Sequence, residues 1–592
     1  MGDTTDQTSS APAPSSPARP PSFQATSEET LIGRTVDAYL DEISSMPQVT
    51  LAEIRDDLLS RISGAVALEN RARKQNDSPA PQLTKPRVLD EFTVVRVLLA
   101  RFHIAAIALA EGSGGDDMTV LGMYQESGPF EGIYTTSEAA MVRLASQVRP
   151  SLTANAIDSL LKRLRAHAPV LRRTTAAHLI AVNNGIFDHE RQELLPFGPE
   201  YVFLTKSPID YDASATSPKI THPVDGSVWD VESWIADLSD DEGVPELLWE
   251  VISAAVRPGV RWNKAVFLHS TRGNNGKGTL CSLMRNLLGS QGCASIPIAN
   301  FGKPFALTEL IHARAIITDE NSVGAFARDL GDFKSVVTGD SFTLDRKYKD
   351  PVSVSFSGLV VQCVNDFPKS RDKSASYTRR QLFIPFRKWF GGSERGYIKS
   401  DYLARPDVLR YVLKRALEMD HSQFSNPPAC QELLAQFQRE NNPVRDFWLE
   451  FEDEFVWDLL PTAFLYDLFI AWFRKNHPSG IPVNRNEFAT QLGEVLVGDG
   501  RWSYADPQKK HRPGAKMSAP EHLIFEYQLK DWMNDSYSGD DRDKICVPYP
   551  LRVNYVGVAR VPVVTTVVTG RSQSSDDSDD SADAKNEEGE QE

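Results

Sequence analysis

The residues of this chain that could do chemistry begin with His269-Ser270-Thr271-Arg272-Gly273-Asn274-Asn275-Gly276-Lys277-Gly278-Thr279. The stretch follows an apolar run, Ala265-Val266-Phe267-Leu268, and precedes Leu280, Met284, Leu287 and Leu288, which recur as on one face of a helix. Strand, glycine-rich loop with Gly-Lys, then helix is a layout that holds a phosphate. Backbone N–H groups of the loop and the helix start face the anion, and the lysine adds a point charge. Phosphate contacts are therefore expected from Gly273, Asn274, Asn275, Gly276, Lys277, Gly278 and Thr279. The strict pattern wants glycine where Thr271 stands and Ser or Thr where Gly278 stands, so the loop alone also reads as a surface turn carrying a lysine.

Three more apolar runs end in polar residues. Ala315-Ile316-Ile317-Thr318 leads into Asp319-Glu320, a pair of acids at the C-terminal tip of a buried strand, where open α/β sheets bind ligands. One carboxylate suits Mg²⁺ and the other suits polarising a water for attack on a phosphoryl group. Leu359-Val360-Val361-Gln362-Cys363-Val364 ends at Asn365, whose amide could hold that water and the γ-phosphate. Leu382-Phe383-Ile384-Pro385-Phe386 is preceded by Arg379-Arg380. In a ring, either arginine could reach a neighbouring subunit's nucleotide, an effect on the order of 10³–10⁵ in rate. Between the acids and the asparagine, Phe342-Thr343-Leu344 and Val352-Ser353-Val354 alternate like paired strands around Asp345-Arg346-Lys347-Tyr348-Lys349-Asp350. Cations on a hairpin tip, with a tyrosine to stack, suit a nucleic-acid backbone.

Taken in order, residues 265–390 resemble a superfamily 3 helicase of the poxvirus and phage primase-helicase type, a modified AAA+ ATPase. The likeness rests on Asn275-Gly276-Lys277, on Ile317-Thr318-Asp319-Glu320, and on Lys334 through Thr338-Gly339-Asp340 to Arg346-Lys347-Tyr348-Lys349. Val364-Asn365-Asp366-Phe367-Pro368 and Arg379-Arg380-Gln381-Leu382-Phe383-Ile384-Pro385-Phe386 complete it. The resemblance implies ATP and Mg²⁺ as cofactors, a hexameric ring, 3′→5′ translocation, and Lys347 as the pore contact to DNA with Arg346 and Lys349 beside it. It extends upstream through Asn183-Asn184-Gly185-Ile186-Phe187-Asp188, Leu195-Pro196-Phe197 and Ile209-Asp210-Tyr211-Asp212. The departure is Gly278, which lacks the hydroxyl that meets Mg²⁺ in the family and leaves Thr279 and Asp319 as the expected metal ligands.

The elements that must position these residues imply an α/β fold: a central ATPase domain, a helical and mixed N-terminal region, and a C-terminal winged-helix-like module. At 592 residues several domains are needed, because single cores rarely exceed about 250–300 residues. We expect a disordered tail over 1–30, a helical region over 31–117 and an α+β domain over 118–243. The ATPase spans 244–395, where Pro245 sits well at the first turn of a helix, and a helical connector spans 396–440. A winged-helix-like module follows over 441–545, then short strands over 546–570 and an acidic tail over 571–592. Within the first region a helical block is read through Phe92 to Ala110. In the C-terminal module Asn484-Arg485-Asn486-Glu487-Phe488 begins a helix, and Lys509-Lys510-His511-Arg512-Pro513-Gly514-Ala515-Lys516 would be a basic wing. Arg485, Lys509, Lys510 and Arg512 are thus candidate DNA contacts. The aromatic stripe Phe447, Trp448, Phe451, Trp472 and Phe473 reads as core rather than a stacking platform.

Composition excludes little. The net charge of −16 is weighted by residues 571–592, where nine acids face only Arg571 and Lys585, so DNA contact needs local basic patches. The five scattered cysteines lack metal-ligand spacing, which argues against a zinc ribbon or a disulfide framework and for a reducing interior. No apolar run reaches the roughly 18 residues of a membrane span, and the N-terminus lacks a secretory pattern, so a cytoplasmic protein is expected, in a host cell if phage-encoded. Ile209-Asp210-Tyr211-Asp212 echoes a primase acid pair, but without a partner motif it reads as a strand end entering a loop. The expected partners are single-stranded and forked DNA, copies of the same chain, and a separate primase or polymerase. Two other readings stay open: an origin-binding ATPase that melts DNA without processive unwinding, and a DNA-binding regulator whose ATP site is an assembly switch.

Overall fold

The four apolar runs form strands because residues buried on both faces of a parallel sheet need no polar alternation. In the computed structural model, β1 (Ala265–His269), β2 (Cys293–Ala294), β3 (Ala315–Thr318), β4 (Leu359–Val364) and β5 (Gln381–Pro385) make one sheet in the order β2-β3-β4-β1-β5. Every pairing in it is parallel. The structure describes residues 23–44, 46, 48–110, 119–322, 326–327, 330–347, 349–370, 375–392, 395–476, 478, 481–497, 499–504 and 509–561. Chain order reverses around β1, so the C-terminal ends of β3, β4 and β1 open on one switch point.

Two helices flank β1 in sequence. Val244–Val256 (α1) starts at Gly243 in the left-handed region, with Pro245 in its first turn as expected. Lys277–Leu288 (α2) starts at Gly276, also left-handed, and its apolar face of Leu280, Leu283, Met284 and Leu287 is fully buried. The expected hairpin is present as Ser341–Arg346 and Lys349–Ser355, in register Phe342↔Val354 and Leu344↔Val352, with those four side chains buried. Three helical segments follow β5, Gly396–Ser400, Pro406–Glu418 and Pro428–Asn441; Phe437 in the last packs on Phe383 of β5 with centroids 4.8 Å apart.

Upstream, several expectations need correcting. Helix Glu28–Ile43 begins inside the tail expected to be disordered, and residues 1–22 lie outside the described residues. It is separate from helix Leu51–Gln75, which a capping box of Thr50 and Glu53 starts anew. The helical block expected through Ala110 stops at Arg101; Ile104–Ala108 is a strand. That strand pairs with Thr119–Tyr124 and Val170–Arg172, on the other side of the boundary expected at residue 117. The run Ile104-Ala105-Ala106-Ile107-Ala108 carries no period of its own, and pairing within a four-stranded sheet decides it.

Met123 and Tyr124 pair with Thr135 and Tyr134, Ala154–His167 is a helix, and Leu179–Val182 turns back through Asn183 and Asn184 to pair with Gly185–Asp188. Residues 209–212 are not a strand, and their acids have local tasks. Asp210 accepts from Asn183 Nδ2 at 2.8 Å, and Asp212 accepts from Ser214. Arg314, just ahead of β3, is buried and donates to the carbonyls of Ala181 and Val256 at 3.0 and 2.8 Å. Burial lowers its pKa to about 10.

The chain divides into two compact units at Asn441/Asn442. In the second, helices Pro443–Phe451, Thr462–Asn476 and Arg485–Val495 pack around Phe447, Trp448, Phe451, Trp472 and Phe473, so the aromatic stripe is core. Asn484 caps the last helix by accepting from the Asn486 and Glu487 amides. The stretch expected as a basic wing, residues 509–516, holds a short strand and the start of a 3-10 turn. Lys510-His511 is a strand paired with Tyr555–Arg560, and Gly514–Met517 is a 3-10 turn that buries Met517. Tyr555–Arg560, which also pairs with Leu459–Pro461 and Trp502–Ser503, is the one strand described beyond residue 546; residues 562–592, including the acidic tail, lie outside the described residues. No helix among the described residues is long and apolar enough to cross a membrane.

Candidate active site

The loop between β1 and α2 is built by its own side chains. Asn275, 4 % exposed, donates through Nδ2 to the Arg272 carbonyl and accepts the Lys277 amide on Oδ1 at 3.2 Å. Asn274 and Gly276 are both in the left-handed region, at φ 54° and 89°, which turns the backbone sharply into α2. A Cβ on Gly276 would also lie 2.5 Å from Leu238 Cδ2, so glycine is needed there twice over. Thr271, Arg272, Gly273 and Asn274 are exposed, and Gly278 and Thr279 are partly so.

Lys277 is buried and spans the switch point. Its Nζ donates to Asn365 Oδ1 at 2.8 Å, the Val364 carbonyl at 3.1 Å and the Ser270 carbonyl at 3.4 Å. The lysine expected at a phosphate and the amide expected to sense it are therefore in direct contact across neighbouring strands. Burial pulls the Lys277 pKa below the ordinary lysine value. His269, at the end of β1, is likewise held low by burial and then by Lys277, and its ring stacks on Phe367 at 4.6 Å.

The acid pair sits at the tip of β3. Asp319 is in an ion pair that the sequence did not reveal: Arg285, two turns along α2 from Lys277, donates through Nη1 to Asp319 Oδ2 at 2.7 Å and through Nη2 to the Ile317 carbonyl at 2.8 Å. Among the described residues Asp319 Oδ1 is buried without a hydrogen-bond partner, and Glu320 is exposed. Asn321, next along, donates to Gln362 Oε1 and the Cys363 carbonyl and accepts from the Ile298 amide. Gln362 in turn donates to Thr318 Oγ1 and the Ile296 carbonyl, so the tips of β3 and β4 are cross-linked by buried amides.

Cysteines far apart in sequence also meet here. The Sγ atoms of Cys281 and Cys363 are 3.5 Å apart, and each lies within 4.8 Å of an Asp319 carboxylate oxygen. The hydrogen bond to Cys363, with burial, raises the Cys281 thiol well above its ordinary pKa, so it behaves as inert filling between α2 and β4.

These groups fit a nucleotide phosphate: a buried ammonium, a helix start and an exposed loop rich in small residues. They also fit a divalent cation on one side, because the unpaired Oδ1 of Asp319 and the Thr279 hydroxyl remain to hold it. That ion would neutralise phosphate charge as the transferring group separates. Gly278 leaves its own position open, and the nearest atom to a Cβ built there is Lys399 Nζ, 3.9 Å away.

The remaining candidates are spread more widely. Arg379 is exposed, whereas Arg380 is half-buried and donates through Nη1 to the Ser376 carbonyl at 2.6 Å, tied down within its own chain. Arg346 and Lys349 close the last register pair of the hairpin, and Lys347 stands exposed in the turn between them. Tyr348 and the Lys349 side chain lie outside the described residues. Arg485, Lys509, Lys510 and Arg512 are exposed in the second unit. Sequence reasoning missed Arg285, Asn321, Gln362 and Lys399; only Arg285 carried a signal, its place eight residues after Lys277 on the same helix.

Family models match three segments in chain order. Residues 97–230 match "D5 N terminal like", residues 268–380 match a family of unknown function (DUF5906), and residues 439–534 match "Poxvirus D5 protein-like". The chain is D5-like in two separate stretches. The model of unknown function covers the loop, the acid pair, the hairpin and Asn365. Among solved structures, one apo form of the NrS-1 C-terminal region is 11 % identical at a TM-score of 0.41, covering 80 % of this chain and all of that one. Another is 13 % identical at a TM-score of 0.38, covering 69 % and 89 %.

Proposed function

We propose that this D5-like chain is a DNA-replication motor of the superfamily 3 type: a Mg²⁺-dependent ATPase of AAA+ architecture that assembles as a ring, as a hexamer by family likeness, and unwinds forked DNA. The observation that carries this reading is the meeting of Lys277 and Asn365, beside Asp319, at the C-terminal ends of three adjacent parallel strands. The strand order, with the loop strand β1 between β4 and β5, supports the same reading.

Each residue has a task in it. The loop from Gly273 to Thr279 cradles the phosphates, and Lys277 leaves Asn365 for the β- and γ-phosphates when nucleotide arrives. Asn365, released, orients the attacking water that Glu320 polarises. Asp319 and Thr279 hold the metal. Arg379, exposed where Arg380 is tied to Ser376, is the better placed of the two arginines to serve a neighbouring subunit. Lys347 at the hairpin turn grips the DNA backbone, with Arg346 and Lys349 at its base.

The test is strand displacement on 3′- and 5′-tailed forks with ATP and Mg²⁺, alongside sizing of the assembly. Unwinding of the 3′-tailed fork that Lys277→Ala abolishes is expected. ATP hydrolysis without strand separation on either fork would replace the motor with an origin-melting ATPase, and unwinding by Lys277→Ala would remove the loop from the mechanism.

A further inference from the structure

Beside the phosphate loop lies a cavity of about 570 Å³. One wall comes from the segment before α1, with Trp229, Trp234 and Leu238; the other comes from the segment after β5, with Phe390, Arg395 and Lys399. Its floor is the phosphate loop itself, through Asn274, Gly276 and Thr279.

The two walls are fastened to each other and to the loop. Lys388 bridges Asp237 and Asp240 at 3.0 and 2.8 Å, and Arg387 reaches Asp241 at 2.7 Å, which joins the two segments. The Phe390 amide donates to the Asn274 carbonyl at 2.8 Å, which joins the second wall to the loop.

Its chemistry is flat and apolar on the walls and cationic at the rim. Trp234 and Phe390 are each partly exposed, and Trp229, buried behind, has its ring centroid 6.4 Å from that of Trp234. The wall carboxylates are already engaged: Asp230 caps its helix by accepting from the Ser233 amide and hydroxyl, and Asp237 holds Lys388. A group entering here therefore meets the aromatic side chains of Trp234 and Phe390, while Arg395 and Lys399 add positive charge to the lining, with Lys399 Nζ close to Gly278 of the loop.

We propose that this cavity seats the base and ribose of the nucleoside triphosphate whose phosphates lie on the loop, with the base held by stacking against Trp234 and Phe390. The inference rests on the nucleotide reading of the loop and adds to it the residues that distinguish a nucleotide from a bare polyphosphate. Trp234 and Phe390 come from opposite sides of the sheet's sequence, so neither family-like motif contains them.

The test is calorimetric titration of the full-length protein with two probes in Mg²⁺ buffer: the non-hydrolysable β,γ-imido analogue of ATP, and inorganic tripolyphosphate. Trp234→Ala and Phe390→Ala should each weaken the analogue about ten-fold, the size of losing one aromatic stack on a base, and leave tripolyphosphate within about two-fold. Trp234→Phe should stay near wild type, which separates loss of a ring from loss of folding. Lys277→Ala should weaken both probes. If Lys277→Ala loses both probes but the two aromatic variants bind the analogue like wild type, the seat is overturned and the loop stands. If the aromatic variants weaken both probes equally, the seat is likewise overturned, because the rings then act on the loop. If Lys277→Ala changes neither probe, the loop reading itself fails.

Discussion

Lys277 Nζ lies 2.8 Å from Asn365 Oδ1, so the loop's cation and the neighbouring strand's amide occupy each other before any phosphate does. In the proposed reading the nucleotide phosphates compete with Asn365 for Lys277. Asn365→Ala should therefore leave affinity for ATP within a few-fold, because the lost partner of Lys277 is replaced by phosphate, while hydrolysis falls by roughly 10²-fold through loss of water positioning. Asn365→Asp should lose binding outright, since its carboxylate pairs with Lys277 and repels the γ-phosphate. Equilibrium binding measured beside steady-state hydrolysis checks both.

Burial also sets a pH limit on the site. Burial holds the pKa of Lys277 below the ordinary lysine value, so its charge is lost at a lower pH than that of an exposed lysine. Phosphate affinity that depends on this charge is full on the acid side and falls as pH rises through the depressed pKa. Titrating the β,γ-imido analogue against pH should show this alkaline loss in wild type and not in Lys277→Arg, whose guanidinium stays charged.

Arg285 holds the acid expected to meet Mg²⁺, at 2.7 Å. Removing it leaves Asp319 with no cation beside it except the incoming metal. Arg285→Ala should lower the Mg²⁺ concentration needed for half-maximal nucleotide binding several-fold, whereas Arg285→Lys should stay near wild type. An unchanged Mg²⁺ requirement in Arg285→Ala would show that Asp319 does not hold the ion.

Two glycines that look interchangeable in sequence should behave oppositely. Gly276→Ala places a Cβ at φ 89° and 2.5 Å from Leu238, at a cost of about 1–3 kcal/mol that a thermal melt would register. Gly278→Ser meets no protein atom closer than Lys399 Nζ at 3.9 Å and should fold normally. Its hydroxyl restores the usual metal ligand, so its Mg²⁺ requirement should fall.

On the hairpin, Lys347→Ala should spare basal hydrolysis and nucleotide affinity yet abolish unwinding. It should also reduce the salt dependence of DNA binding by about one charge per subunit. Unwinding that survives the substitution would place the DNA grip elsewhere.

The parallel sheet was legible because its strands are buried on both faces and so read as unbroken apolar runs ending in Asp319, Asn365 and the loop. The capped helices were legible for the same local reason, as at Asn484 and Pro245. What escaped was set by partners distant in the chain. The Ile104–Ala108 run has no period to tell strand from helix, and only its pairing with Thr119–Tyr124 decides. Arg285 and Asp319, Cys281 and Cys363, and Trp234 and Phe390 meet across sequence gaps that no local pattern spans. In the second unit, Lys509 and Lys510 read as part of a basic wing, with no sign of the strand they would pair with. The pairing of Lys510 and His511 with Tyr555 and Val556 is a long-range fact.

Arg314 ties the Ala181 carbonyl, ahead of α1, to the Val256 carbonyl at the end of α1, and it does so immediately before the strand that leads into Asp319. The seam at residue 243 is thus a line in the sequence and not a hinge in the molecule. A truncation that kept only the residues after it would strip one carbonyl from a buried guanidinium and loosen the root of β3. In the motor reading proposed above, the guanidinium of Arg314 is the fastening between β3 and the upstream strand Leu179–Val182, so the segment before residue 243 serves the strand that leads into Asp319 as its chassis.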